Sequence, residues 1–276
     1  MIARSPFKTL VSSILLTAAL AVSAAAHAVD ILLQSTTSTA NSGLYEAILP
    51  AFTAQTGITV HVVSVGTGQA IKNAKNGDGD VLLVHAKSAE EDFVQAGYGV
   101  ERFDVMYNDF VIVGPKSDVV GIAGMDDAAA AMVKIAEAGA IFVSRGDDSG
   151  THKKEVSLWK TTAVNPAPSS GTWYRETGQG MGSTLNIAIG MDGYALTDRG
   201  TWLSFKNQGD HKILVEGDAK LFNQYGVTLV NPERHQNVDA VAGQALIDWL
   251  LSDAGQAAIA SHKIQGQQLF YPNAKK

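Results

Sequence analysis

The chain has 276 residues, a formal net charge of −6 and no cysteine. Without cysteine there can be no disulfide, thiolate metal site, cysteine nucleophile or lipidated anchor. The acidic balance argues against nucleic acid or an anionic membrane surface as partner, so any anion site must be built from local donors.

The N-terminus points to a compartment. Arg4 and Lys8 form a short positive region, Leu10 to Ala25 is an apolar run of small residues, and Ala26-His27-Ala28 gives the small-x-small pattern of a signal peptidase site. The run is shorter than the ~20 residues of a spanning helix. Residues 1–28 are therefore expected to be a signal peptide, cut after Ala28, that delivers the protein to a periplasm. Removing Arg4 and Lys8 takes the net charge from −6 to −8. No later stretch is long and apolar enough to cross a bilayer.

Beyond the leader, short β-branched runs alternate with helical patterns, which predicts α/β architecture. Ile31-Leu32-Leu33 reads as a first strand. Leu44, Tyr45, Ile48, Leu49 and Phe52 recur at helical spacing and Gly57 can end that helix. Strands are expected at Ile58–Val65 and Val81–Val84, and Ser88 with Glu91 reads as a capping box opening another helix. Phe110–Val113, closed by Gly114-Pro115, is a further strand. A helix from Asp126 to Ala138, a Gly139 cap and the strand Ile141–Val143 follow. Gly226–Val230 ends in Asn231-Pro232, and the chain closes with a helix around Ala245 to Leu251 and another capped by Ser252. The loop 165–171 is expected on the surface.

The two Gly/Pro-bounded strands read as crossings between lobes. Lobe one would hold residues 29–107 and 228–276, and lobe two residues 108–227, joined by a two-strand hinge of the kind that closes around ligands. On spacing alone, a single doubly wound domain is the alternative.

Four segments carry the chemistry. Ser35-Thr36-Thr37-Ser38-Thr39 lies between the first strand and first helix, where hydroxyls and free backbone N–H groups make an anion site aided by the helix dipole. One cap needs one hydroxyl; five consecutive residues carry one here. Gly66-Thr67-Gly68 falls at the end of the second strand, at the same carboxyl edge of the sheet, where ligands bind open α/β sheets. Ser144–Glu155 follows a strand of the second lobe and opens a helix, with Ser149 and Thr151 as natural caps. Its Arg145 can place a planar fork on an oxyanion, with Asp147 and Asp148 available to orient it, while Lys153 and Lys154 are expected to face water. Gly178–Leu185, with Ser183 and Thr184, is another glycine-rich approach to a helix. Together these would encircle a small anion with donors.

These stretches, with Tyr107–Pro115, Trp173-Tyr174, Tyr194–Thr201 and Phe222–Tyr225, resemble the TupA family of tungstate-binding proteins of ABC transporters over essentially the whole mature chain. The resemblance implies a type II periplasmic-binding-protein fold. It implies tungstate as ligand, with molybdate a weaker competitor, and a membrane permease with its ATPase as partner for a monomeric binding protein without cofactor or metal-cation site. By matching motif, Thr36, Thr37, Arg145 and Thr151 become the leading ligand residues. Ser38, Gly66, Thr67, Gly68, Ser149, Ser183 and Thr184 complete the candidate set.

Physical chemistry narrows the ligand only in part. Tungstate and molybdate are dianions at neutral pH whose oxygens only accept hydrogen bonds, which suits hydroxyls, amides and one arginine. Phosphate, partly protonated, gains from a carboxylate acceptor, and Asp147 and Asp148 sit in the arginine loop. A phosphate or molybdate binder of the same fold is therefore the alternative. A serine hydrolase built on Ser149 or Ser35 lacks a Gly-x-Ser-x-Gly elbow and a suitably spaced base. His61, His85, His211, His235 and His262 lack metal-ligand spacing and read as surface or packing residues.

Overall fold

The alternation of apolar runs and helical patterns folds into strands that pair while the helices cover them. In the computed structural model, which describes residues 29–275, the order begins β1 (Val29–Thr36), α1 (Thr37–Asn41), α2 (Leu44–Thr56), β2 (Ile58–Val65) and α3 (Thr67–Asn76). It continues with β3 (Val81–Val84), α4 (Lys87–Gln95), β4 (Gly99–Pro115), α5 (Ala128–Glu137), β5 (Phe142–Ser144) and α6 (Gly150–Trp159). Then come β6 (Tyr174–Glu176), α7 (Met181–Gly190), β7 (Ala195–Asp198), α8 (Arg199–Ser204), β8 (His211–Val215) and β9 (Phe222–Val230). The chain ends with α9 (Ala240–Leu251), α10 (Asp253–Ser261), β10 (Lys263–Ile264), β11 (Gln267–Gln268) and β12 (Tyr271–Pro272). The signal-peptide segment read from the sequence lies outside the described residues.

The main sheet runs β12-β4-β9-β3-β1-β2. β1 is parallel to both β2 and β3, so their carboxyl ends share one edge: Thr36 sits beside Val65, and His85 follows the end of β3. β9 is antiparallel to β3 on one side and to β4 from Gly99 to Asp109 on the other. Beyond Asp109, β4 changes partners and pairs with β7 and β8.

That exchange separates the hydrophobic cores. One is built from β1, β3, α2, α3 and α9, with Leu33, Phe52, Leu82 and Leu246 fully buried; Val105 and Met106 of β4 belong to it. Past the exchange, alternate residues of β4 face opposite ways. Phe110 and Ile112 pack with Met132, Phe142 and Leu158, while Val111 and Val113 pack with Met181, Leu185 and Trp202. Each fully buried side chain of this size stabilises the fold by about 1.5–3 kcal/mol.

Three local expectations change. The strand expected at Phe110–Val113 is the end of a seventeen-residue strand beginning at Gly99. Its charged early half hides the pattern, because Arg102 neutralises Glu90 and Asp104 side by side. No capping box forms at Ser88. α4 starts two residues earlier than that box requires, with Ala86 in the cap position, and Glu90 accepts the Ala86 N–H at 2.6 Å while Glu91 faces Lys87. Lys154 does not simply face water: its ammonium donates to the carbonyls of Lys220 and Phe222 at 3.0 Å and lies 5.8 Å from the Phe110 ring centre.

Candidate functional site

Parallel pairing of β1, β2 and β3 brings their following turns together, and the β5–α6 turn closes over them. Between them lies a tight cavity, with no room for a water molecule in this conformation, lined by Thr36, Thr37 and Ser38, by Val65, Gly66 and Thr67, by His85, and by Arg145, Ser149, Gly150 and Thr151.

The β1–α1 turn does not commit all five of its hydroxyls to the cavity. Ser35 points back into the sheet, donating to the Leu83 carbonyl at 2.8 Å and meeting the Tyr45 hydroxyl. Thr39 is fully buried against the Thr36 hydroxyl at 2.8 Å, and Thr36 caps α1 by accepting the Thr39 N–H. Thr36, Thr37 and Ser38 are left at the cavity wall.

At the β5–α6 turn, Ser149 caps the helix by accepting the His152 N–H at 3.1 Å, and donates its own N–H to Asp147 at 3.2 Å. Asp147 also pairs with the guanidinium of Arg145, whose Nε donates to the Gln179 carbonyl at 3.2 Å. Arg145 is only 5% exposed, so its plane is held from two sides. Gly146 and Asp148 both adopt positive φ, 59° in each case, which turns the chain tightly enough to aim Arg145 and Ser149 at the same space. Beneath the helix, Glu155 accepts from Ser144, Trp159 and Tyr174 at 2.7, 3.2 and 2.7 Å. Burial pushes its carboxyl up to about 7 against the pull of those donors.

The two halves of the site touch directly. The Gly150 N–H donates to Thr67 Oγ1 at 2.9 Å, and the His85 ring lies where a Cβ on Gly150 would come within 2.7 Å of it. Gly68, expected to approach the ligand, instead packs against the Asp148 carboxylate and does not line the cavity.

Ser183 and Thr184 also lie outside the lining. The Thr184 hydroxyl meets Thr177 Oγ1 at 2.9 Å and donates to the Gly180 carbonyl at 3.2 Å, so its proton is used within its own turn. The α7 approach reaches the site through Arg145: the Gln179 carbonyl accepts from its Nε, and the Gly178 N–H and Thr177 hydroxyl donate to its carbonyl at 2.8 and 3.3 Å. Among the described residues, the starts of α1, α3 and α6 border the cavity and that of α7 does not.

His85, set aside in the sequence as a packing residue, lines the cavity and is 6% exposed. Its Nε2 is 3.1 Å from Ser38 Oγ and its Nδ1 is 3.1 Å from Asn223 Oδ1. Burial, with Arg145 and Lys154 nearby, lowers its pKa to about 4 despite the Asn223 hydrogen bond. The signal that could have found it is position: it follows a strand whose carboxyl end shares an edge with the two turns already singled out. The serines considered as nucleophiles do not have this partner: the ring nitrogen of His152 accepts the Asp148 N–H and is not paired with the Ser149 hydroxyl.

Among the described residues, no acidic side chain lines the cavity, and Arg145 is the one permanent cation that does. Hydroxyls, helix-start N–H groups and a braced guanidinium form a donor-rich enclosure suited to a small anion.

Comparison with known proteins gives a consistent picture. A family model described as a PBP superfamily domain matches residues 21–254. The tungstate-binding protein TupA of Peptoclostridium acidaminophilum is 48% identical over 251 residues, covering 90% of this chain and 87% of that one. Among solved structures, the tungstate-binding protein TupA from Desulfovibrio alaskensis G20 is 48% identical, with a TM-score of 0.78 over 90% of this chain and 100% of the other. The tungstate ABC transporter structure from Geobacter sulfurreducens is 47% identical, with a TM-score of 0.77 over 83% of this chain and 97% of the other.

Proposed function

Because the chain belongs to the TupA family of periplasmic-type solute-binding proteins, we propose that it captures tungstate for an ABC transporter, in the cavity between the β1, β2 and β5 turns. The observation that carries this reading is the meeting of three donor-rich helix starts around one buried arginine with no carboxylate in the lining. An acceptor-only dianion is matched by such a wall, whereas a protonated phosphate would find no carboxylate there to take the proton of its hydroxyl. Asp147, the carboxylate nearest in sequence to Arg145, is already engaged by that arginine and by the Ser149 N–H.

In this reading Thr36, Thr37, Ser38, Gly66, Thr67, Arg145, Ser149 and Thr151 surround the anion. Gly68, Ser183 and Thr184 support the loops around it. Residues 29–107 and 228–276 form one lobe and 108–227 the other, with β4 and β9 as the hinge. The Gly150–Thr67 hydrogen bond is then a contact of the closed state. Residues 1–28 serve as the export leader, and the processed protein delivers its ligand as a monomer to a permease in the inner membrane.

The test is calorimetric competition among tungstate, molybdate, phosphate and sulfate at one pH. Tungstate should bind at one site, far more tightly than sulfate, with molybdate as nearest competitor. Equal sulfate binding, or none with tungstate, would sink the assignment.

A further inference from the structure

Among the described residues, Arg145 and His85 are the two ionisable ones lining the cavity. Arg145 is already paired with Asp147, so a dianion entering this space meets fixed charges that nearly cancel. Burying uncompensated charge is expensive, and proteins commonly respond by moving a proton. His85 stands where such a proton would be taken.

Its hydrogen bonds fix the polarity of the wall. Asn223 donates from Nδ2 to Asn108 Oδ1 at 2.6 Å, which turns its Oδ1 toward the imidazole and makes Nδ1 of His85 the donor. A neutral ring then carries a bare Nε2, which accepts the proton of the Ser38 hydroxyl. In that state Ser38 presents lone pairs to the cavity, the wrong polarity for an oxyanion. A protonated ring donates from Nε2 to Ser38 Oγ and frees the hydroxyl proton, which then has Thr36 Oγ1, 3.1 Å away, or an anion in the cavity as its acceptor.

We propose that His85 binds a proton together with the oxyanion and, through Ser38, converts an acceptor on the cavity wall into a donor. The inference rests on the oxyanion reading above and assigns His85 as a positioning residue for that ligand.

The surroundings fit this role. Against the ring stand Ser38 of α1, Asn223 and Tyr225 of β9 and Phe110 of β4, none charged at neutral pH; Tyr225 is stacked at 4.8 Å. The nearby charges are the cations Arg145 and Lys154, which add to burial in keeping the anion-free ring neutral. Farther out in the cleft, Asp148 is paired with Lys153 and Asp104 with Arg102, while α4 contributes Lys87 and Asp92 and α6 adds His152 and Lys160. A bound dianion would be the dominant negative charge near His85, and would raise its pKa from the anion-free value of about 4.

The sign follows. Binding takes up a proton at any pH between the anion-free and anion-bound values. Affinity is therefore greatest at low pH, falls by up to about tenfold per unit across that window and levels off above it.

The experiment uses the full processed chain and tungstate. Calorimetry near neutral pH, in two buffers of different ionisation enthalpy, should show uptake of up to one proton per anion. Nitrogen NMR of labelled histidine should show a neutral, Nδ1-protonated ring in the free protein and an imidazolium in the saturated one. His85→Gln, which keeps a polar group of similar reach but cannot titrate, should lose both the proton uptake and the pH slope. Tungstate binding without proton uptake, with the ring still neutral, overturns this inference and leaves the function reading standing. Failure of the wild type to bind tungstate overturns both. If His85→Gln does not fold, the two wild-type measurements decide the matter.

Discussion

The starts of α6 and α7 read alike and do opposite things. Each follows a short strand, each offers glycine and hydroxyl residues, and each could cap a helix around an anion. At α6, Ser149 caps its own helix, Asp147 braces Arg145, and the Gly150 N–H reaches across to Thr67. At α7, Gly180 caps without a side chain and Thr184 turns its hydroxyl back on the preceding turn. Counting hydroxyls near a helix start therefore measures supply alone. What decides their use is whether a local carbonyl takes the proton first, a competition that Ser and Thr enter readily.

The largest break in this contrast should come from removing the α6 cation. Arg145→Ala is expected to weaken tungstate binding by ~1.5–3 kcal/mol, the scale of a hydrogen bond to a charged group, or roughly 10–150-fold in Kd. Calorimetry on the folded variant checks it, and unchanged affinity would remove Arg145 from the site. Paired glycine substitutions sharpen the contrast further. A Cβ at Gly150 would meet the His85 ring at 2.7 Å and Thr67 Oγ1 at 3.1 Å, whereas one at Gly180 meets nothing within 4 Å. Overpacking of this kind typically costs ~1–3 kcal/mol, so Gly150→Ala should lose about tenfold or more in affinity while Gly180→Ala stays near wild type. Equal losses would mean that the contact between Gly150 and His85 has no part in binding. Thr67→Val should be milder, about 1 kcal/mol for the acceptor removed from the Gly150 N–H, read as a faster release of tungstate in stopped-flow exchange.

The same contrast shows where sequence reading works. β2 and β3 were legible to the residue, because short runs dominated by valine, isoleucine and leucine between turn signals have few alternatives. Gly57 at the end of α2 was legible because its left-handed φ of 75° suits glycine. The turn around Arg145 was legible as a strand-to-helix turn because Ser149 is a ready cap for the helix that follows. His85 was not, since its role depends on Asn223, 138 residues away, and on a sheet order that places β3 beside β1. The long first half of β4 was hidden for a related reason: Arg102 meets Asp104 within the strand, but meets Glu90 only once α4 has folded over it. Local signals specified the helix starts; long-range pairing chose which of them share a cavity.

The smallest expected effect on affinity is the most discriminating. Thr184→Val keeps the shape of the side chain and removes the hydroxyl that meets Thr177 and the Gly180 carbonyl. Thr177 would retain the Arg145 carbonyl and the Gln179 N–H, at 3.3 and 3.2 Å. The cost should therefore fall on folding, at ~0.5–1.5 kcal/mol for a lost internal hydrogen bond. For a chain of this size each kcal/mol corresponds to roughly 2–4 °C in Tm. Tungstate affinity should stay within about twofold, because a change of 0.4 kcal/mol or less is all that factor allows. A tenfold loss of affinity with Tm unchanged would mean that the α7 turn acts on the anion, directly or through the Gln179 carbonyl that steadies Arg145. In that event, satisfaction by a neighbouring carbonyl would no longer separate a supporting hydroxyl from a binding one.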